Sequence, residues 1–180
     1  MSYLIKILVA GESGVGKTTL IQRYLSDRWV IGTKSTIGID FFLKKIKGSG
    51  TYLINGLKSD EELNLQIWDT SGEEKFREVL PLYSAGTQGI FLCFDITRPE
   101  TLKKLHEWDD VLKDLINDPV PKILIATKCD LPSKISKEVI KEFQIARNID
   151  LKFDTSSKDG TNVQKIFTDI ANAIFTQLNS

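Results

Sequence analysis

Cysteine is scarce in this chain. Cys93 and Cys129 are the only two in 180 residues, and their spacing fits neither a disulfide framework nor a zinc site. A reducing cytoplasm is the expected compartment. Cys93 falls inside the apolar run Gly89–Phe94 and is expected to be a small buried hydrophobe. No run approaches the ~18 consecutive apolar residues of a membrane-spanning helix. Met1–Lys6 lacks the long apolar region of a secretion signal. Ser2 stands where myristoylation needs glycine, and Thr176–Ser180 holds no cysteine to prenylate, so no lipid anchor is expected. Excess charge is absent too. Lys plus Arg number 24 and Asp plus Glu number 24, which gives no single-signed field for nucleic acid. There are no internal repeats and no low-complexity tract.

What remains is an ordinary globular composition, 41% hydrophobic and 27% charged, in a length that suits one domain with a real core. Short β-branched runs alternate with longer helical patterns, which predicts an α/β sheet with crossover helices. The runs Leu4–Ala10, Asp40–Lys47, Leu63–Asp69, Gly89–Asp95, Lys122–Thr127 and Leu151–Asp154 are predicted strands. Gly16–Asp27, Glu100–Ile116, Lys137–Ala146 and Asn162–Leu178 are predicted helices. In the last of these Val163, Ile166, Phe167, Ile170 and Ile174 recur at helical spacing, so one face should lie on the sheet. Glu73–Ser84 is less regular and reads as part loop, part helix. Between the second and third strands, Gly48–Glu62 carries Gly-Ser-Gly and Asn-Gly turn signals, with Thr51–Ile54 as a possible strand extension. It is either a tolerated surface loop or a protrusion that binds a partner.

The segment Gly11-Glu-Ser-Gly-Val-Gly-Lys-Thr18 fits G-x-x-x-x-G-K-[ST], directly after a strand and opening a helix. Glycines let the backbone bend so that several N–H groups point at phosphate oxygens, and the helix N-terminus adds positive potential. Lys17 is placed to reach the outer phosphates, and the Thr18 hydroxyl to bind Mg²⁺. The candidate phosphate-binding residues are Ser13, Gly14, Val15, Gly16, Lys17, Thr18 and Thr19. A second signal follows about fifty residues on. Asp69-Thr-Ser-Gly72 closes the apolar run Leu65–Trp68. An acidic residue at a strand end beside the phosphate loop can hold Mg²⁺ through a water, and Gly72 offers a backbone N–H without a Cβ in the way.

With Thr36–Phe41, Thr127-Lys-Cys-Asp130 and Thr155-Ser-Ser-Lys158, in that order along the chain, the sequence resembles the Ras superfamily of small GTPases, most closely its Rab branch. The resemblance covers nearly the whole chain apart from the segment at about 48–62. It implies a P-loop G domain over residues 1–180. Its expected fold is a mostly parallel six-stranded sheet with one antiparallel edge strand and helices on both faces. It implies GTP and GDP as ligands, Mg²⁺ as cofactor, and a switch that GTP orders over residues 33–41 and 70–84. Thr36 would add a second hydroxyl to the metal, beside Thr18 and Asp69, and a backbone N–H to the γ-phosphate. Asp130 would accept two hydrogen bonds from the N1–H and N2–H₂ edge of guanine, which adenine cannot supply. Lys128 would lay its stem over the base. Ser156, Ser157 and Lys158 would bring backbone N–H groups to the base carbonyl. Thr127 stands where the family has Asn and would alter contacts without abolishing binding. Trp29 is placed either as an aromatic edge on the base or as an anchor in the core.

Phe41, Trp68 and Tyr83 coincide with three aromatics that Rab proteins present to effectors, although packing into the core would also account for them. Phe76-Arg77 is Rab-like as well. The resemblance further implies an exchange factor, an activating protein and a monomeric state. One position departs from the pattern. Glu73 follows Gly72 where the family has Gln, so the candidate catalytic set is Lys17, Gly72 and Glu73. An ionised carboxylate accepts hydrogen bonds but cannot donate them. It would either act as a general base or be repelled from the phosphates, leaving a slow hydrolase; the loose transition state of phosphoryl transfer favours the second. In the limit, Glu73 would make the chain a GTP-loaded scaffold. Asp130 contradicts an ATP-dependent kinase, and no arginine suggests itself as a finger in cis.

Overall fold

The computed structural model of the protein describes residues 1–32, 34–50 and 54–178. Six strands, β1 (Ser2–Ala10), β2 (Ile39–Lys47), β3 (Glu62–Thr70), β4 (Gly89–Asp95), β5 (Lys122–Thr127) and β6 (Leu151–Asp154), form one sheet. Its order is β2-β3-β1-β4-β5-β6. Only β2 runs antiparallel, against β3; every other pairing is parallel. The helices are α1 (Lys17–Ser26), α2 (Leu80–Ser84), α3 (Pro99–Leu115), α4 (Lys137–Arg147) and α5 (Val163–Leu178), with a 3₁₀ helix over Glu74–Val79 before α2. The expected α/β sheet with one antiparallel edge is what forms. The irregular Glu73–Ser84 segment resolves into this pair of short helices, and other boundaries fall within two residues of expectation.

Strand periodicity divides the core. Along β1, Ile5, Ile7 and Val9 enter one cluster, with α1 and α5. Leu8 and Ala10 enter the other, with α2, α3 and α4, as side chains two apart share a face. The central β4 is buried at every residue, the mark of a parallel strand covered on both sides. Its Cys93 is fully buried, and burial pushes the thiol up to about 12. The stripe predicted on α5 lies in the first cluster, where Phe167 stacks on Tyr24 at 3.8 Å between ring centroids.

The β2–β3 register runs from Ile39 opposite Thr70 to Lys47 opposite Glu62. Among its described residues the connecting segment is a surface loop pinned at several points: Ser49, Gly50, Asn55, Gly56 and Lys58–Asp60 are exposed, while Gly48, Ile54, Leu57 and Glu61 are buried. Ile54 and Leu57 are buried in the cluster with α5, the Asn55 N–H donates to the Asn172 side chain at 2.7 Å, and Glu61 accepts from Tyr3 Oη and the Lys58 N–H. Apolar side chains inside a turn-rich stretch found a hydrophobic helix face to cover. Thr51–Leu53, most of the possible strand extension, lie outside the described residues.

Candidate nucleotide and metal site

β1 is flanked by β3 and β4, so the chain leaves it at the point where the strand order reverses, and a crevice opens at the carboxyl ends there. Residues 11–18 turn through it. Gly11, Gly14 and Gly16 have positive φ of 143, 73 and 101°, a region that side chains strongly disfavour. Lys17 is buried beneath the loop and donates to the carbonyls of Gly11 at 2.6 Å and Glu12 at 3.0 Å. Burial pushes its ammonium down from the ordinary lysine value, against the pull of Asp69.

Two depressions adjoin over this loop. One, about 250 Å³, is polar and lined by Ser13, Gly14, Gly16, Lys17, Thr18, Thr19, Thr36, Gly72 and Lys128, with Lys34, Ser35 and Thr70. The other, about 280 Å³, is lined by Val15, Gly16, Thr19, Trp29, Thr127, Lys128, Asp130, Ser157 and Lys158, with Val30–Gly32 and Leu131. They share Gly16, Thr19 and Lys128. A polar bowl continuous with a flatter slot that ends in a carboxylate suits a nucleotide, phosphates in the first and base in the second. A larger cavity, about 680 Å³, lies elsewhere, between the ends of α3 and α4 and the start of β5.

The base slot is braced from behind. Asp130 accepts from the Ser156 hydroxyl at 2.7 Å, and Ser156 Oγ accepts the N–H groups of Lys158 and Asp159, so one buried serine fixes both the carboxylate and the loop beneath it. The Thr127 hydroxyl donates within reach of two carbonyls, Val15 at 2.6 Å and Phe94 at 2.9 Å. Threonine at this position therefore tethers the phosphate loop to the sheet. Trp29 is 45% exposed and sits on the slot's rim with Lys158 Nζ 5.8 Å from its ring centroid. It is not a core anchor.

Sequence reasoning missed what holds Lys128. Its Nζ lies 2.6 Å from Asp95 and 3.1 Å from the Gly14 carbonyl. Arg98 joins the same carboxylate at 3.1 Å and donates to the Ser13 carbonyl at 3.0 Å. Burial raises the Asp95 carboxyl, but hydrogen bonds from Lys128 and Thr97 outweigh it and hold the group below its ordinary value. Asp95 ends a fully buried apolar strand, and that misplaced charge was the available signal.

On the other side of the bowl Thr18, Thr36 and Asp69 converge. The threonine hydroxyls are 2.7 Å apart. Asp69 Oδ2 accepts from Thr18 and from Thr36, the latter at 3.3 Å, while Oδ1 is buried with no partner among the described residues. Burial is the main cause that pushes the Asp69 carboxyl up to about 6, opposed by the hydrogen bond from Thr18 and the charge of Lys17. An orphaned carboxylate oxygen beside two hydroxyls is a hard-oxygen donor set, and it fits a small divalent cation.

Gly72 lies against the phosphate loop so closely that a Cβ on it would stand 2.1 Å from the Ser13 nitrogen. Glu73 does not line the bowl. Its carboxylate pairs with Lys75 at 2.8 Å. Phe41, Trp68 and Tyr83 form a chain, with ring centroids 5.2 and 5.5 Å apart. Phe41 and Tyr83 are exposed rather than absorbed into the core.

Comparison with known proteins agrees with this geometry. The Ras family matches over residues 6–176. The chain belongs to the Ras family, in its Rab branch. It is similar to the human Ras-related protein Rab-8B, 36% identical across 98% of this chain and 81% of that protein. It is also similar to Ras-related protein RABD2c of Arabidopsis thaliana, at 35% with 99% and 84% covered. GTP-binding protein ypt4 of Schizosaccharomyces pombe is 34% identical, with 98% and 74% covered. This Rab-branch chain is therefore a small GTPase that binds guanine nucleotides. No helix among the described residues is long and apolar enough to cross a membrane.

Proposed function

We propose that the chain, acting as one G domain, is a Mg²⁺-dependent GTP switch with slow intrinsic hydrolysis, serving membrane-associated trafficking. The observation that carries the slow step is the Glu73–Lys75 pair, 2.8 Å long and set away from the phosphate bowl. In this reading Lys17 binds the outer phosphates, the Gly72 N–H meets the γ-phosphate, and Ser13–Thr19 wrap the chain of phosphates. Asp130, with Lys128, Thr127, Trp29 and the Ser156–Lys158 loop, selects guanine. Thr18, Thr36 and Asp69 (through a water) hold the metal, which when bound neutralises charge between the outer phosphates. Phe41, Trp68 and Tyr83 face effectors, and an exchange factor and an activating protein set the cycle.

Glu73 cannot donate a hydrogen bond to the transferring group while ionised, and its charge opposes the triphosphate. Glu73→Gln should therefore speed single-turnover GTP hydrolysis, by severalfold to about tenfold, equivalent to ~1.4 kcal/mol at most. A Gln variant slower than the parent would instead make Glu73 a general base. If neither protein hydrolyses GTP, the chain is a GTP-loaded binding module.

A further inference from the structure

Arg77, in the 3₁₀ helix of the second switch, is tied to two other elements at once. Its Nη2 donates to Glu12 Oε1 at 3.1 Å and its Nη1 to Glu107 Oε2 at 2.9 Å. The guanidinium carbon lies 4.7 Å from the ring centroid of Trp108, and the side chain is only 13% exposed. The fully buried Trp108 donates its indole N–H to the same Glu12 oxygen at 3.1 Å. One carboxylate oxygen thus joins the phosphate loop, the second switch and α3. Planar stacking and a forked donor are what arginine supplies and lysine does not.

Glu12 is also tied to the lysine of the phosphate loop. Its backbone carbonyl accepts from Lys17 Nζ at 3.0 Å, and the peptide between Glu12 and Ser13 lies against Gly72. Any shift of the phosphate loop therefore moves both ends of the segment that begins at Gly72 and is anchored at Arg77. Near that start the Ser71 N–H donates to the Gly38 carbonyl at 2.7 Å, and Glu73 pairs with Lys75 between two exposed chains, a weak kind of restraint.

We propose that Glu12, Arg77 and Trp108 form a clasp that holds the second switch on the phosphate loop when triphosphate is bound, with Arg77 and Glu12 as positioning residues. The proposal rests on the GTP-switch reading. The clasp fixes where the chain around Glu73 stands relative to the γ-phosphate, without touching nucleotide itself. Its loss should free the switch and leave the base slot and the remaining phosphate contacts intact.

The test is hydrogen exchange over residues 74–84 in the GDP form and in a form loaded with a non-hydrolysable GTP analogue, with GDP affinity measured alongside. Arg77→Ala should exchange at least about tenfold faster than the parent in the triphosphate form and within about twofold of it in the GDP form, the range typical of coupled charged neighbours. GDP affinity should be unchanged. Glu12→Gln, which keeps the shape and an acceptor for Trp108, should act in the same direction, and the double variant should be no looser than Arg77→Ala alone. Parent-like protection in both single variants overturns the clasp while leaving the switch intact. Equal loosening in both nucleotide forms reduces it to a fold contact and overturns it too. A parent that binds no guanine nucleotide overturns the switch reading along with it.

Discussion

A carboxylate selects a base by what it refuses. Asp130 has one oxygen engaged by Ser156, which orients the group and leaves it an acceptor toward the slot. Guanine presents N–H donors at N1 and N2; adenine presents an acceptor at N1 and leaves the charge unpaired once the slot is closed. Once a bound base covers this exposed carboxylate, truncating one side of the pair costs ~2–5 kcal/mol, so GTP should bind at least about a hundredfold tighter than ATP, in competition against a fluorescent guanine nucleotide. Asp130→Asn should turn preference toward xanthine nucleotides, whose 2-carbonyl accepts from the amide. Equal affinity of the parent for ATP and GTP would refute the role. Asp130 was legible because its type, spacing and position after a strand coincide. Asp95 offers only a charge at the end of an apolar strand, and its partners Lys128 and Arg98 are visible in the structure alone. Arg98 went unnoticed for the same reason: its target is a backbone carbonyl of the phosphate loop 85 positions away, and backbone acceptors leave no trace in a sequence.

At the scale of elements, the alternating pattern specified all six strands and the four long helices, because β-branched runs and a 3.6-residue stripe are local signals. The segment between β2 and β3 shows where local signals stop: the turns form, but what anchors them is distant in sequence. Glycines and polar residues mark turns there, yet the value of Ile54 and Leu57 depends on α5, more than a hundred positions on, and pairing at that range is invisible to periodicity. Ile54 is 3% exposed in a cluster that includes Phe175. Ile54→Ala should therefore cost ~2–5 kcal/mol in chemical unfolding of the GDP form, the range for deleting a buried aliphatic side chain. An exposed loop would give less than about 0.5 kcal/mol. Guanine-nucleotide affinity should be unchanged, since the segment borders neither depression.

Across the whole molecule, three loops meet at one end of the sheet, and each is tied to a different part of the core. The phosphate loop is anchored by Thr127 and Lys128, the second switch by Arg77. In the first switch the Gly38 carbonyl accepts from the Ser71 N–H, and Thr36 meets Thr18 and Asp69. Those two hydroxyls satisfy only one oxygen of the buried Asp69 carboxylate; its other oxygen has no partner among the described residues, and the set suits a cation. Order in residues 34–41 should therefore follow the metal and the third phosphate. Loading a GTP analogue with Mg²⁺ should slow amide exchange over 34–41 relative to GDP. Thr36→Ala should abolish that protection while changing GDP affinity by no more than about twofold, since in the proposed switch the residue engages nucleotide in the triphosphate state alone. Removing Mg²⁺ from the parent with a chelator should erase the same protection. Segments 34–41 equally protected with GDP and with the analogue would mean that the nucleotide does not throw a switch, leaving the chain a static GTP-binding module.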